Sequence, residues 1–349
     1  RVTKTNKINI IVSSVLLALF LYLAFRNVNL GELVNILENT NYLYVFLGIF
    51  IGSVGGSVVR AVRWGILLEP IKKGIPLKSL FATTVIGYMV NNLIPRSGEV
   101  IRPYLLGKRE GTSKASAFAT IIVERILDTV MFLLMFGVGL IYFKNRLTNA
   151  LPEVGSAVII LSAMILLLSF GIIFMMLKPE FSLRVVKFFT KILPKKLHEK
   201  VDHIFTSLVS GFDVLKKPSL FFRIALYSVL LWLVYLVSTY LPFYSFDIMV
   251  GGGRSLWHEL WDANLLLVLI NIAMFIPVPA ATGPYHYICR VTLVNIFAVT
   301  QSKALGYATS THLMSFLIYL VMGLYFFVTS QYRFSELKNR EIGSDTVGA

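Results

Sequence analysis

The sequence is short of charge and almost without cysteine. Only 15% of its 349 residues are Asp, Glu, Lys or Arg, against about 25% in a typical soluble domain. So few charges exclude a disordered chain and argue against an ordinary soluble enzyme. Cys289 is the single cysteine, which rules out an intrachain disulfide and a cysteine metal cluster. The five histidines are scattered without metal-ligand spacing. A Walker loop, a GxSxG elbow, an HExxH helix and a dinucleotide fingerprint are all missing. No catalytic residue, metal or cofactor is therefore expected. Acidic residues are scarcer than basic ones, 18 against 33, for a net charge of +15. In a soluble protein that excess would suggest nucleic acid. In a chain this apolar it points to loops held on the cytoplasmic side, with no nucleic-acid partner.

Apolar residues are what the sequence has in quantity: 56%, with a mean hydropathy of +0.74. They come in blocks. From Ile10 to Phe25 only Ser13, Ser14 and Tyr22 carry polar side-chain groups. Blocks of about 20 apolar residues read as spanning helices, because lipid cannot satisfy an exposed backbone. Six segments qualify: 8–25, 41–68, 115–142, 155–177, 219–241 and 304–329. The first follows Arg1, Lys4 and Lys7 like a signal peptide but lacks a small-residue cleavage site, so it is expected to stay as a span.

Two shorter apolar segments, 79–94 and 262–276, run into breaks at Pro95-Arg96-Ser97-Gly98 and at Pro277-Val278-Pro279-Ala280-Ala281-Thr282-Gly283. Helix-like stretches follow at 97–107 and 284–300. Each is either a broken span or a re-entrant hairpin. With both as hairpins and the N-terminus inside, 24 of the 33 Lys and Arg fall inside, those of 60–78 among them. Five fall outside, and Arg96, Arg102, Arg125 and Arg290 lie at membrane depth. The positive-inside rule favours this topology. The expected fold is an all-α polytopic membrane protein of six spanning helices and two oppositely oriented re-entrant hairpins. Residues 41–142 and 219–329 then form an inverted repeat, a pattern that points to a transport site near the midplane. Residues 29–39 place Leu30, Leu33, Val34 and Leu37 on one face, as an interfacial helix would. The basic segment 178–217 reads as an amphipathic helix on anionic lipid or as a solvated linker.

Chemistry concentrates at the breaks. Ser97 can cap the helix that restarts after Pro95, and that helix start with Arg96 and Arg102 makes an anion site. Gly98 lets the chain turn. Glu99 and Arg102 share a face, so Glu99 either orients Arg102 for a ligand or forms an ion pair that ties the hairpin down. Glu124, Arg125 and Asp128 sit inside a span, where charges must avoid lipid. A shared network of Glu99, Arg102, Glu124, Arg125 and Asp128 is expected, as an anion site or as a structural clamp. On the second hairpin His286 and Arg290 are four apart; Arg290 is a second candidate anion contact, and His286 is either titratable or structural. Asn91, Asn92, Asn264 and Asn271 line a polar cavity or serve as interhelical glue.

The combination Pro95-x-x-Gly98-Glu99-x-x-Arg102, Glu124-Arg125-x-x-Asp128 and Pro277-x-Pro-x-x-x-Gly283 resembles the transmembrane region of bacterial lysylphosphatidylglycerol synthases. That family includes free-standing flippase-like proteins and an archaeal relative tied to dolichol-linked sugars. The resemblance covers about 8–330. It departs at the second hairpin, where Ala280 and Ala281 replace two glycines and His286 stands in place of a glutamate. The resemblance implies movement of a lipid or lipid-linked head group between leaflets. The chain ends shortly after its last span, so no acyltransferase domain and no aminoacyl transfer are expected.

The leading expectation is a flippase for an anionic phospholipid or polyprenyl-phosphate-linked lipid, in the plasma membrane with both termini cytoplasmic. The alternatives are an intramembrane transferase using Glu99, Glu124 and Asp128, and a non-transporting scaffold. A homo-oligomer or a membrane synthase is compatible as partner.

Overall fold

The computed structural model describes residues 4–150, 155–178, 181, 184, 217–248 and 255–330. Most of the basic segment 178–217, the loop that carries Arg254 and the tail beyond 330 lie outside the described residues. Among the described residues every regular element is helical. In chain order they are α1 (Lys4–Phe25), α2 (Leu30–Asn39), α3 (Tyr42–Phe50), a π-helical step (Ile51–Gly55), α4 (Gly56–Leu68), α5 (Leu77–Leu93), α6 (Gly98–Glu110), α7 (Lys114–Ala150) and α8 (Gly155–Leu177). Then follow α9 (Pro218–Tyr240), α10 (Pro242–Ser245), α11 (Leu256–Ala273), a 3₁₀ turn (Pro279–Ala281), α12 (Pro284–Phe297) and α13 (Gln301–Thr329).

Local chemistry sets these boundaries. Asn29 accepts from the Glu32 amide, Asn41 from Leu43 and Thr300 from Lys303, so α2, α3 and α13 each start on a side-chain cap. Proline stands at the first position of α9 and α12, where a missing N–H costs nothing. α6 ends on Gly111 at φ 64°, a left-handed C-cap. The apolar run 41–68 passes through the π-helical step, where Gly52 presses against the Ser238 side chain of α9.

Four helices are long and apolar enough to cross a membrane: Tyr42–Leu68, Lys114–Lys144, Pro218–Ser245 and Gln301–Thr329. A fifth is possible if α1 and α2, bent by 85° from each other, count together. The chain is thus an all-α membrane protein. α2 differs partly from the interfacial expectation. Leu33 is buried with Ala24 and Leu305, and Leu37 packs beside them, while Leu30 and Val34 are exposed. Its apolar face is shared between α13 and the surroundings.

The arms of each break pack against each other, α5 on α6 and α11 on α12. Each unit touches the other in the same way. α5 lies on α13, α11 lies on α7, and α4 lies on α9. Exchanging α4–α7 with α9 and α11–α13 maps these contacts onto one another. α1 packs on α12, and α8 on α7. The two largest apolar cores lie one around Trp64, Leu80, Leu106 and Ile121, the other around Val45, Phe243, Leu266, Leu293 and Tyr307.

Candidate functional site

The two breaks face one cavity of about 730 Å³. Asn91, Asn92, Pro95, Arg96 and Glu99 line it from the first hairpin, and Asn271, Met274 to Val278, Ala280, Ala281 and Tyr285 from the second. α4 adds Arg60, α7 adds Arg125 and Asp128, and α13 adds Thr311, His312, Ser315 and Tyr319. The tips touch through Arg96, whose Nη2 donates to the Phe275 carbonyl at 3.2 Å.

The first hairpin turns tightly because two glycines meet. A Cβ on Gly98 would run into the Gly87 carbonyl, and one on Gly87 into the Arg102 side chain. Ser97 does not cap α6. Its hydroxyl donates back to the Ile94 carbonyl at 2.7 Å, and Asn91 Oδ1 takes the Gly98 amide at 2.6 Å instead. Asn91 reaches that amide from the packed α5 arm, a partner that local sequence spacing could not reveal. Arg96 sits at φ 61°, a left-handed conformation uncommon for a residue with a side chain.

Behind the tip lies a dense charge cluster. Glu124, wholly buried, accepts from Arg60 Nη1 (2.5 Å), Arg102 Nη1 (2.9 Å) and Arg125 Nη2 (2.8 Å). Asp128 accepts from Arg60 (2.7 Å), Arg63 (2.5 Å) and Arg125 (2.9 Å). Arg102 also stacks over Trp64, 4.5 Å from the ring centroid, and Arg60 reaches the Tyr235 hydroxyl at 3.2 Å. Glu99 pairs not with Arg102 but loosely with Arg125, at 3.9 Å. Arg102 points into α4 and α7, whereas Glu99 looks into the cavity. Glu99, Arg102, Glu124, Arg125 and Asp128 therefore do share one network, wired differently from the expected i,i+3 pair.

Arg60 and Arg63 are the residues that sequence reasoning missed. They fell among the inside cations of 60–78, yet their side chains are 6% and 0% exposed. The signal was available: two arginines three apart within an apolar run share a helical face and cannot both meet lipid. With Arg96, five arginines face three carboxylates, so the region keeps an excess of positive charge. Arg125 and Glu99 are the open members, 39% and 38% exposed. The Nε atoms of Arg60 and Arg125 and Nδ2 of Asn92, all at cavity-lining residues, are buried without a partner among the described residues.

The second hairpin carries no such cluster. His286 is buried, and its Nδ1 accepts from the Gly283 amide at 3.4 Å. It thus takes the role that Glu or Gln plays at the third position of a capping box. Arg290 lies outside the cavity lining. Its guanidinium holds the carbonyls of Leu23 (2.8 Å) and Arg26 (2.9 Å) and Gln301 Oε1 (2.6 Å), closing the C-terminal end of α1. Gly283, at φ 91°, is pressed against Phe20 of α1. Ala280 and Ala281 both adopt positive φ, 52° and 54°. Of the two asparagines on α11, Asn271 lines the cavity and donates to the Leu267 carbonyl, while Asn264 lies elsewhere. Among the described residues no three His, Cys, Asp or Glu are grouped to hold a metal ion.

In chemical terms the cavity has a cationic wall and a neutral wall. The guanidiniums of Arg96 and Arg125 suit an oxyanion, and the asparagine, threonine and tyrosine groups suit hydrogen-bonding substituents. Comparisons with known proteins fit this architecture. The sequence profile described as the lysylphosphatidylglycerol synthase TM region matches residues 10–323. A UPF0104 membrane protein of Methanothermobacter thermautotrophicus is 25% identical over 84% of this chain and 87% of its own length. One from Pyrococcus horikoshii is 24% identical over 83% and 88%. One from Methanocaldococcus jannaschii is 35% identical over 36% of this chain, and the match spans 39% of that relative. Matching over nearly its whole length and built around two helix breaks that share one cavity, the chain belongs to the family of the lysylphosphatidylglycerol synthase transmembrane region.

Proposed function

We propose that this protein moves an anionic lipid head group between leaflets through the cavity between the two hairpin tips. The observation that carries the reading is the arginine excess on that cavity's wall, at the junction of two broken helices in a membrane fold. Isolated cations at membrane depth cost about 2.5–3.5 kcal/mol each on insertion scales, so an unbalanced excess facing a cavity marks a ligand path. Arg96 and Arg125 hold the phosphate, Glu99 trades its loose pairing with Arg125 for solvent, and the acyl or polyprenyl tails remain in lipid. Ser97, Gly98, Arg102, Glu124 and Asp128 position those contacts, and His286 and Arg290 shape the second hairpin.

The topology that belongs to this reading has six spans, two re-entrant hairpins of opposite orientation and both termini in the cytoplasm of a plasma-membrane protein. The exchange of contacts between α4–α7 and α9–α13 supports it. In a background with Cys289 replaced, a cysteine at Lys73 is expected to resist an impermeant thiol reagent applied outside, and one at Glu38 to react. Reaction of the Lys73 cysteine from outside would overturn the cytoplasmic placement of the termini.

Transport is tested in liposomes carrying fluorescent phosphatidylglycerol, with a reductant that quenches only the outer leaflet. The parent protein is expected to expose the inner-leaflet lipid. Arg125→Gln should slow this by about 10- to 100-fold, the range for losing a charge-assisted contact. Recovered lipid should be chemically unchanged; a modified product would favour an intramembrane transferase. Quenching no faster than in empty liposomes would overturn the transport reading.

A further inference from the structure

At the neutral wall of the cavity two imidazoles lie together, His312 on the lining and His286 buried behind it, and their hydrogen bonds fix where a proton can go. His312 lines the cavity from α13, and its Nε2 lies 2.9 Å from the Ala280 carbonyl. A carbonyl only accepts, so Nε2 carries the hydrogen and Nδ1 is the basic atom of the neutral ring. His286, 4.8 Å away between ring centroids, is buried, and its Nδ1 accepts from the Gly283 amide. Protonating His286 at Nδ1 would set donor against donor and release the hairpin tip. Protonating His312 at Nδ1 leaves its bond to Ala280 intact. The two rings are too close for both to be charged at little cost, so His312 is the one free to take a proton.

The surroundings leave that charge without a fixed partner. On α12 it is faced by Tyr285 and His286, and Tyr285 is engaged with Thr311 at 3.0 Å. On its own helix the neighbours are Tyr307, bonded to the Thr239 carbonyl, and Tyr319, whose ring packs on Tyr88 of α5. α2 brings Glu32 to Ser302, ten residues before His312 at the start of α13, and α10 brings Tyr244 to Tyr240, which holds Glu259. α3 contributes Tyr42 and Tyr44, and the π-helical step contributes no charged residue. The cavity's carboxylates, Glu99 and Asp128, stand on the other wall facing arginines. The missing counter-charge is what an anionic head group would bring.

We propose that His312 is the proton site of this cavity, taking up a proton at Nδ1 together with an anionic head group. The inference rests on the transport reading and extends it to coupling. A phosphate bridging from Arg96 and Arg125 toward the opposite wall meets a third cation there, and the proton leaves Nδ1 when the head group departs. No covalent bond of the lipid changes. Protonation at the donor face and release at the other would tie lipid movement to a pH difference.

Two measurements test this together. Histidine-selective ¹⁵N NMR of the detergent-solubilised protein, with and without dioleoylphosphatidylglycerol, reports the ring charge directly. An imidazolium signal that the lipid induces, and that His312→Gln lacks, is expected; the glutamine amide reaches the Nε2 position and keeps an N–H for the Ala280 carbonyl but cannot carry the charge. Phosphatidylglycerol transport should be about tenfold faster near pH 5.5 than near pH 8, with the ratio collapsing toward one in His312→Gln. A His312 ring that stays neutral in saturating lipid, or a variant that keeps the parent's pH ratio, would overturn the proposal. An induced imidazolium signal without transport at either pH would retain the proton site and sink the transport reading instead.

Discussion

The two hairpins share a plan and differ in what holds them. Each is an arm, a break and a returning arm, packed on the final span of the other unit. The first is fixed by ions: Arg60, Arg63, Arg102 and Arg125 converge on Glu124 and Asp128 just behind the tip. The second is fixed by neutral hydrogen bonds and a neighbouring helix. His286 holds Gly283, His312 holds Ala280, and Ser13 of α1 donates to the Pro277 carbonyl at 2.8 Å. Ionic wiring in a low-dielectric interior is strong while complete and costly once broken. Neutral wiring can be rearranged at lower cost. On the proposed transport reading, the ionically fixed first hairpin would hold the anion and the second would be the part that moves.

The sharpest way to break that contrast is to remove the hub of the first cluster. Glu124→Gln should destabilise the protein by about 3–5 kcal/mol, because Arg60, Arg102 and Arg125 are left with one carboxylate fewer in a buried site. Unfolding in a denaturing detergent measures it; a loss below about 1 kcal/mol would mean that water already screens the cluster. Gly98→Ala comes next. Its methyl group meets the Gly87 carbonyl where α5 and α6 cross, and forcing the arms apart should cost about 1–3 kcal/mol. Transport should fall with it, since Arg96 and Glu99 flank the same turn.

A smaller change of opposite sign is expected at the second tip. Ala280→Gly with Ala281→Gly removes two left-handed alanines at about 1–2 kcal/mol each, offset by about 0.5–1 kcal/mol of glycine entropy per site. The double variant should be more stable by about 1 kcal/mol or somewhat more, read as a higher melting temperature. No gain would mean that the strain is relieved elsewhere in the break. Smallest of all is Arg223→Gln, which removes an exposed pair with Glu69. It should shift stability by less than about 1 kcal/mol, and less still at high salt, marking the baseline for a surface ion pair.

The apolar blocks alone determined that this is a helical membrane protein. The two proline-glycine breaks marked the places where helices must stop. Those properties are local: lipid forbids an unsatisfied backbone, and proline beside glycine weakens the helical hydrogen-bond ladder where it stands. The charge motifs were legible as a network for a related reason, since Glu124, Arg125 and Asp128 had to avoid lipid together. What only the tertiary structure decided is who pairs with whom. Glu99 and Arg102 are three residues apart, yet Arg102 turns to Glu124 and Glu99 turns to the cavity. Arg60 and Arg63 looked like cations at the end of a span until α7 brought carboxylates to them. Arg290 looked like an anion contact until α1 offered its terminal carbonyls. Nothing in the sequence places His312 beside Ala280 and His286, because α13 and the second break meet only when α12 folds back against α13. Pairing in the membrane interior is settled by which helices approach closely enough to exclude lipid, and that geometry belongs to the assembled chain rather than to any one segment of it.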